Sequence, residues 1–158
     1  MTLIMTKRMF NTALLCAVII VAVNVFSACK KDKDENPSIG YKEYSLYNSS
    51  SGSPVDAGSF RIDQLANGNA KITISISQPF RQSNATFEAV INKEDASGNE
   101  LVFSNLGLVN GNTGSLVTSP VMSSGSNLPI KYTDLVGQKG YYVKVLNGAN
   151  VQARGNID

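Results

Sequence analysis

The sequence predicts an all-β fold: an antiparallel β-sandwich or barrel with Greek-key-like connections, formed as a single domain. Three observations indicate this class. From Tyr41 onward, no window of 11 or more residues carries apolar side chains at helical spacing. Apolar and polar residues alternate with period two instead, and turn-forming residues separate the alternating segments. Many short strands with regular turns are typical of sandwiches and barrels.

The clearest strand is Lys71–Ser77, in which three isoleucines alternate with hydroxyl side chains. One face of this strand is therefore apolar and the other polar, as in a half-buried strand. Thr86–Asn92 and Tyr141–Leu146 alternate in the same way. Shorter segments with this pattern predict further strands at Tyr41–Tyr47, Ser59–Leu65, Glu100–Leu106, Ser115–Pro120, Leu128–Thr133 and Val151–Ile157.

Turn-forming residues lie between the predicted strands. Asn67–Gly68 and Asn147–Gly148 favour two-residue reversals, because Asn and Gly tolerate the positive φ that such turns need. Asp95–Asn99 and Ser123–Asn127 predict longer hairpin loops. The only helical turn that we expect lies around Thr133–Val136. The predicted domain spans residues 41–158, a length sufficient for one core.

The first 28 residues have the organisation of an export signal. Lys7 and Arg8 form a basic start, an apolar run of 11 residues follows at Ala13–Val23, and small residues precede Cys29. The run is shorter than the roughly 20 apolar residues that a membrane-spanning helix needs. We therefore predict a cleaved signal peptide over residues 1–28 rather than a retained membrane helix.

Val25–Cys29 resembles the lipobox of bacterial lipoproteins, in which a cysteine becomes the lipidated first residue after cleavage. Phe26 stands where that motif usually has leucine. Cleavage would remove Cys16 and leave Cys29 as the only cysteine, so no disulfide within the chain would be available. The resemblance implies lipidation of Cys29 and attachment to a membrane through its acyl chains.

Residues 29–40 comprise this cysteine and a charged segment that predicts a flexible tether. Lys30–Ser38 has no apolar side chain except a proline, so it cannot bury enough surface to offset its ordering entropy. The segment also resembles the tethers of Bacteroidota lipoproteins, some of which direct export to the cell surface. A solvated spacer without that role is the alternative. The expected location is the bacterial outer membrane, on its periplasmic face or at the cell surface.

Composition excludes several classes of function. The chain has no histidine, which rules out Ser-His or Cys-His catalysis and histidine-built zinc or copper sites. From Cys29 onward, 12 basic side chains balance 12 acidic ones, and the basic residues are scattered. Nucleic-acid binding needs a basic patch. We expect a monomer with no nucleic-acid partner and no cofactor.

Carboxylates are the remaining candidates for catalysis or metal binding. A glycosidase needs two of them about 5 to 10 Å apart across a sugar, and most acids of the domain lie in predicted turns or on polar strand faces. Asp95–Glu100 lacks the ligand spacing of a calcium loop, so we interpret it as a solvated hairpin loop. We predict no catalytic residue and no metal ligand among Asp56, Asp63, Glu88, Glu94, Asp95, Glu100 and Asp134.

Four segments, in order, resemble the chordin-type (CHRD) domain over about residues 60–158. Thr86–Asn92 lies where that family has a histidine-containing strand, and Leu106–Gly114 is similar to its central glycine-rich turn. Gly140–Leu146 followed by Val151–Ile157 is similar to its closing hairpin, which pairs a tyrosine strand with an Arg-Gly strand. The resemblance implies an extracytoplasmic β-sandwich or barrel, in a family whose members mostly have no established activity.

The chain lacks the histidines of this family, whose positions would correspond to Val90, Asn92 and a residue near Leu146. Whatever those histidines do elsewhere cannot be carried over to this chain.

Tyrosines are the residues with binding potential. Exposed tyrosines stack on sugar rings or anchor a protein partner, and the candidate binding residues are Tyr132, Tyr141, Tyr142 and Arg154. The alternative is that these tyrosines cap the ends of the core. The predicted function is a non-enzymatic, lipid-anchored module that binds a protein or glycan or serves structurally. A small carboxylate-dependent or calcium-binding glycan hydrolase is the alternative.

Overall fold

The structure, a computed structural model, describes residues 36–158. The predicted signal peptide, Cys29 and most of the predicted tether lie outside the described residues. The described part forms one compact unit in which all the strands are antiparallel to their neighbours. The strands are β1 (Ser38–Asn48), β2 (Val55–Leu65), β3 (Ala70–Ile76), β4 (Thr86–Glu94), β5 (Glu100–Asn110), β6 (Ser115–Thr118), β7 (Tyr141–Asn147) and β8 (Asn150–Ile157).

The eight strands close into a barrel in the order β1-β2-β3-β6-β5-β4-β7-β8. Strands β4, β5 and β6 are successive neighbours, whereas β3 lies beside β6 and β7 lies beside β4. The connections from β3 to β4 and from β6 to β7 therefore cross opposite ends of the barrel, which is a Greek-key arrangement. The all-β fold class is confirmed, and of the two predicted architectures the barrel is the one present.

The inward-facing side chains of the strands fill the barrel. Ile72, Ile74 and Ile76, which the sequence places on one face of β3, are fully buried. Phe60 from β2 and Phe87 from β4 contribute the largest apolar rings of this core. Alternate burial along the strands is what period-two alternation predicts.

The connection from β6 to β7 covers one end of the barrel. It contains a single helical turn, α1 (Tyr132–Leu135), which is the turn predicted around Thr133–Val136. Three apolar side chains of the connection, Val121, Ile130 and Leu135, are buried against the core. No helix between residues 36 and 158 is long and apolar enough to cross a membrane.

The strand predicted at Leu128–Thr133 is wrong, because this segment belongs to the end-covering connection. It forms two isolated bridges, Met122 with Pro129 and Asn69 with Lys131, instead of a ladder. Proline has no N–H for a ladder hydrogen bond. The apolar residues that suggested a strand are needed instead to cover the open end of the core.

Strand β1 begins at Ser38, three residues before the predicted domain start at Tyr41. The Ser38 hydroxyl donates a hydrogen bond to Asp63 Oδ1 at 3.0 Å, and Arg61 Nε donates to Asp63 Oδ2 at 3.2 Å. A buried carboxylate is stable only with such partners. Residues 38–40 therefore pair with β2 rather than extending the tether.

The predicted turns are confirmed where the strands reverse. Gly68 and Gly148 adopt positive φ values of 80° and 59° in the β2–β3 and β7–β8 turns. Asp95–Asn99 closes the hairpin between β4 and β5. Ser123–Asn127 is a loop within the β6–β7 connection, where the Asn127 N–H donates to the Ser123 carbonyl.

The barrel closes where β1 meets β8. The two strands form one ladder pair, Tyr47 with Arg154. Beside that pair the backbones approach so closely that a Cβ on Gly155 would lie 2.2 Å from the Ser45 carbonyl oxygen. The same Cβ would lie 2.8 Å from the ring of Phe60. Closure in this geometry therefore requires glycine at position 155.

Replacing Gly155 with alanine is expected to destabilise the domain by about 1–3 kcal/mol, because the added methyl group must displace β1 or the core ring of Phe60. Urea unfolding followed by circular dichroism measures this loss. Gly125→Ala is the control, since a Cβ at Gly125 has no atom within 4 Å. Equal unfolding free energies for the two variants would contradict the packing explanation.

Candidate functional site

A row of outward-facing side chains crosses the barrel wall at β7, β8 and β1. Lys144 lies opposite Arg154, and Arg154 lies opposite Tyr47. Directly opposite residues of antiparallel strands have Cβ atoms about 4.5–5.5 Å apart, so these side chains form one continuous surface. Tyr142 and Glu100 adjoin it. We call Tyr47, Glu100, Tyr142, Lys144 and Arg154 the β8 face.

Arg154 lies over the ring of Tyr142. The guanidinium carbon is 3.9 Å from the ring centroid, which is a close cation–π contact. Lys144 Nζ lies 5.7 Å from the same centroid. Although Tyr142 points away from the core, its residue is only 2% exposed, because these two side chains cover it.

Glu100, the first residue of β5, lies beside both cations of the β8 face. Its carboxylate forms a close ion pair with Lys144 Nζ and a longer one with Arg154 Nη1 at 3.8 Å. The hydrogen bond from Lys144 is the main reason why the pKa of Glu100 lies below its ordinary value. Glu100 is therefore ionised at neutral pH, and one carboxylate faces two cations.

Beneath these charges lie the positions where the family resemblance would place histidines. Val90 and Asn92 of β4 face outward, opposite Lys144 and Tyr142. The Asn92 Oδ1 and Tyr142 hydroxyl oxygen atoms are buried and have no hydrogen-bond partner within residues 36–158. Burial raises the pKa of Tyr142, and the Glu100 carboxylate raises it further. This layer is thus closed to solvent, and ligands reach only the side chains above it.

Two open grooves meet at Tyr47 and Arg154. The first, of about 420 Å³, follows the junction of β1 and β8 as far as Asp158. The second, of about 540 Å³, includes Lys144 and Val151. Tyr47 is 45% exposed and lines both grooves. Small polar side chains line much of the remainder, namely Ser45, Ser49 and Asn156 in the first groove and Ser49, Ser50 and Asn150 in the second.

Two of the four predicted binding residues, Tyr142 and Arg154, lie together in the β8 face. Tyr141 is instead buried in the core, where its ring packs edge-on against Phe103 at 4.9 Å between centroids. Tyr132 begins helix α1 at the covered end of the barrel and packs against the core. These two tyrosines are therefore not part of the grooves.

Lys144 and Tyr47 were not among the candidate binding residues that the sequence suggested, and Tyr47 lines both grooves. The sequence places Tyr47 on the first strand, but no sequence pattern reveals that β1 pairs with β8. In the structure its neighbours Leu46 and Asn48 are buried, so Tyr47 faces outward.

The carboxylates show no paired arrangement in these grooves. Among residues 36–158, Asp158 is the only acidic residue lining the first groove, and none lines the second. Within the part of the chain that the structure describes, no three acidic or cysteine side chains are placed to hold a metal ion.

Asp95 lies in the hairpin loop that the sequence predicts. Its Oδ1 accepts hydrogen bonds from the backbone N–H groups of Ser97 and Asn99, at 2.8 and 2.9 Å. The Asn99 side-chain amide donates to Oδ2 at 3.0 Å. The bonds from Asn99 are the main cause of the lowered pKa of Asp95. Its oxygens thus stabilise the loop itself.

Replacing Lys144 with methionine should raise the pKa of Glu100, because the hydrogen bond from Lys144 is the largest cause of its depression. In the native protein this depression contributes stability above the unfolded-state pKa of about 4.3, and the contribution is lost as pH falls through the lower folded pKa. The pair is partly solvent-exposed, so we expect a loss below about 1 kcal/mol at neutral pH.

Carboxyl-detected NMR titration measures the pKa of Glu100 directly. Asn99→Ala is the matched control, because it should raise the pKa of Asp95 and leave that of Glu100 unchanged. An unchanged Glu100 pKa in the Lys144→Met variant would refute the assigned ion pair.

No family model, curated protein or solved structure matches this chain. Its resemblance to the chordin-type domain therefore stays a prediction, carried by the segments around Tyr142 and Arg154.

Proposed function

We propose that the protein is a lipid-anchored module of the bacterial cell envelope that binds a glycan at the β8 face without catalysing a reaction. The observation that carries this proposal is the exposed ring of Tyr47 at the meeting point of two grooves. Aromatic rings offer sugars an apolar stacking surface. The hydroxyl, amide and cationic groups around Tyr47 supply hydrogen bonds to sugar hydroxyl groups.

The size and lining of the grooves favour a glycan over a protein. Their volumes, about 420 and 540 Å³, lie within the range of small-ligand sites. A standard protein interface buries about 800 Å² on each partner around an apolar centre. Apart from Tyr47, the only large apolar side chain lining the second groove is Val151.

The placement of the acids supports binding rather than hydrolysis. A glycosidase needs one carboxylic acid that stays protonated near the working pH and a second carboxylate across the sugar. Glu100 has a lowered pKa, which is the wrong direction for a general acid. Asp158 has no acidic partner across the first groove.

The described chain begins at the end of the barrel opposite the Ser49–Ser50 end of the grooves. The Asn36 side-chain oxygen accepts a hydrogen bond from the Asn67 N–H at 3.1 Å, at the β2–β3 turn. From there β1 runs for 11 residues, about 36 Å, to the opposite end of the barrel.

Replacing Cys29 with alanine should abolish membrane association, because the cysteine sulfur is the proposed site of acylation and each buried methylene contributes about 0.8 kcal/mol to membrane affinity. The assay is membrane fractionation combined with metabolic labelling by a fatty-acid analogue. Cys16→Ala is the control and should keep both properties, since Cys16 lies in the predicted signal peptide. A Cys29→Ala protein that is still labelled and membrane-bound would overturn the proposed anchor.

Replacing Tyr47 with alanine should weaken glycan binding about tenfold, since one aromatic contact contributes about 0.5–1.5 kcal/mol beyond its area burial. The purified chain is first screened on a glycan array, and the affinity of each variant is then measured by titration calorimetry. Tyr41→Ala is the matched control. Tyr41 lies on the same strand, is 61% exposed and has Arg61 5.0 Å from its ring, but it lines neither groove.

Equal losses in Tyr47→Ala and Tyr41→Ala would contradict the assigned position of the site. Absence of binding to every glycan on the array would overturn the glycan-binding function itself.

A further inference from the structure

Arg154 retains unused hydrogen-bonding capacity at the surface. Its distance to Glu100, 3.8 Å, is that of an ion pair and too long for a hydrogen bond. The guanidinium donates no hydrogen bond to any residue between 36 and 158. Its side chain is 43% exposed. A guanidinium has five N–H donors in a planar fork, and the exposed part of this one can donate to a ligand.

The neighbours of Arg154 hold it in place without neutralising it. The ring centroid of Tyr142 lies 3.9 Å from the guanidinium carbon of Arg154, so the ring limits the motion of the guanidinium. Glu100 is already bound closely by Lys144, so its single negative charge is shared between two cations. A guanidinium that is positioned before binding loses less entropy when a ligand arrives.

Arg61 differs from Arg154 in its acidic partner. Like Arg154, Arg61 lies over a tyrosine ring: its guanidinium carbon is 5.0 Å from the ring centroid of Tyr41. Its Nε, however, donates to the buried carboxylate of Asp63 at 3.2 Å. Arg61 thus serves to pair a buried acid, whereas the acid beside Arg154, Glu100, is partly exposed and is bound more closely by Lys144.

The charges also distinguish the two grooves. Asp158 lines the first groove and would repel an anion there. No acidic residue of the described chain lines the second groove, which contains both Lys144 and Arg154. Tyr47, the cross-strand partner of Arg154, stands between the two. A ligand that stacks on Tyr47 can therefore place a negatively charged group beside Arg154 in the second groove only.

We propose that the glycan bound at the β8 face is acidic, and that Arg154 binds the carboxylate of a uronic-acid residue in the second groove. This proposal rests on the proposed function. The planar, two-pronged donor geometry of arginine matches the two oxygens of a carboxylate. The sugar ring next to the uronic acid stacks on Tyr47, and uncharged sugar residues of the glycan continue into the first groove.

Calorimetric titration of the full chain in detergent tests this proposal. The probes are oligogalacturonate, oligoglucuronate and oligomannuronate. Each is compared with its methyl ester, in which a neutral ester group replaces the carboxylate. We expect at least one acid to bind ten times or more tightly than its ester. The preference should shrink as ionic strength rises, because salt screens the interaction.

Three variants test whether Arg154 causes the preference for the acid over its ester. Arg154→Gln should weaken binding of the acid more than binding of the ester, so that the ratio of the two affinities falls toward one. Arg154→Lys should retain part of the preference, since a lysine keeps the charge but not the planar fork. Arg61→Gln is the control and should keep the full preference, with thermal melting showing that each variant is folded.

The outcomes separate this inference from the function on which it rests. Equal affinity for acids and esters, or an unchanged preference in Arg154→Gln, overturns the acidic ligand while glycan binding stands. A polyglutamate peptide that binds as tightly as the best oligouronate overturns the assignment to a sugar. Absence of binding to every acid and every ester overturns the acidic ligand, and absence of binding to every glycan on the array as well overturns both proposals.

Discussion

The contact between β1 and β8 is the constraint on which the barrel depends. Without it the sheet would have two free edges, which expose unpaired N–H and C=O groups. Gly155 allows the two backbones to approach, and the ring of Phe60 fills the space beneath. The same contact creates the candidate site, because it brings Tyr47 of the first strand beside Arg154 of the last. Barrel closure and the candidate site therefore share one junction.

Local patterns in the sequence were sufficient for the fold class. Alternation in Lys71–Ser77 placed three isoleucines inside the barrel, and Asn67–Gly68 marked a true reversal. The alternation at Leu128–Thr133 does not correspond to a strand, because its apolar residues cover the end of the core and have no neighbouring strand to pair with. Strand β1 begins before the predicted Tyr41, because Ser38 is held by Asp63 on another strand.

The site was only partly predictable, for a geometric reason. Tyr141 and Tyr142 are adjacent in the sequence, yet a shift of one residue along a strand moves a side chain from the core to the surface. The hairpin between β7 and β8 relates Tyr142 to Arg154 over a short stretch of chain, so that pair was within reach of sequence reasoning. The pairing of Tyr47 with Arg154 joins the two ends of the domain, which no local pattern encodes.

Closure between the first and last strands also sets an order of events for folding. Among the strands of residues 36–158, β1 leaves the ribosome first and its partner β8 leaves it last. Contacts this distant in sequence form slowly, because the intervening chain must first be ordered. The barrel therefore remains an open sheet until residues 154 and 155 have emerged. A chain interrupted before that point would have neither a closed wall nor the Tyr47–Arg154 pair, so it would lack the candidate site.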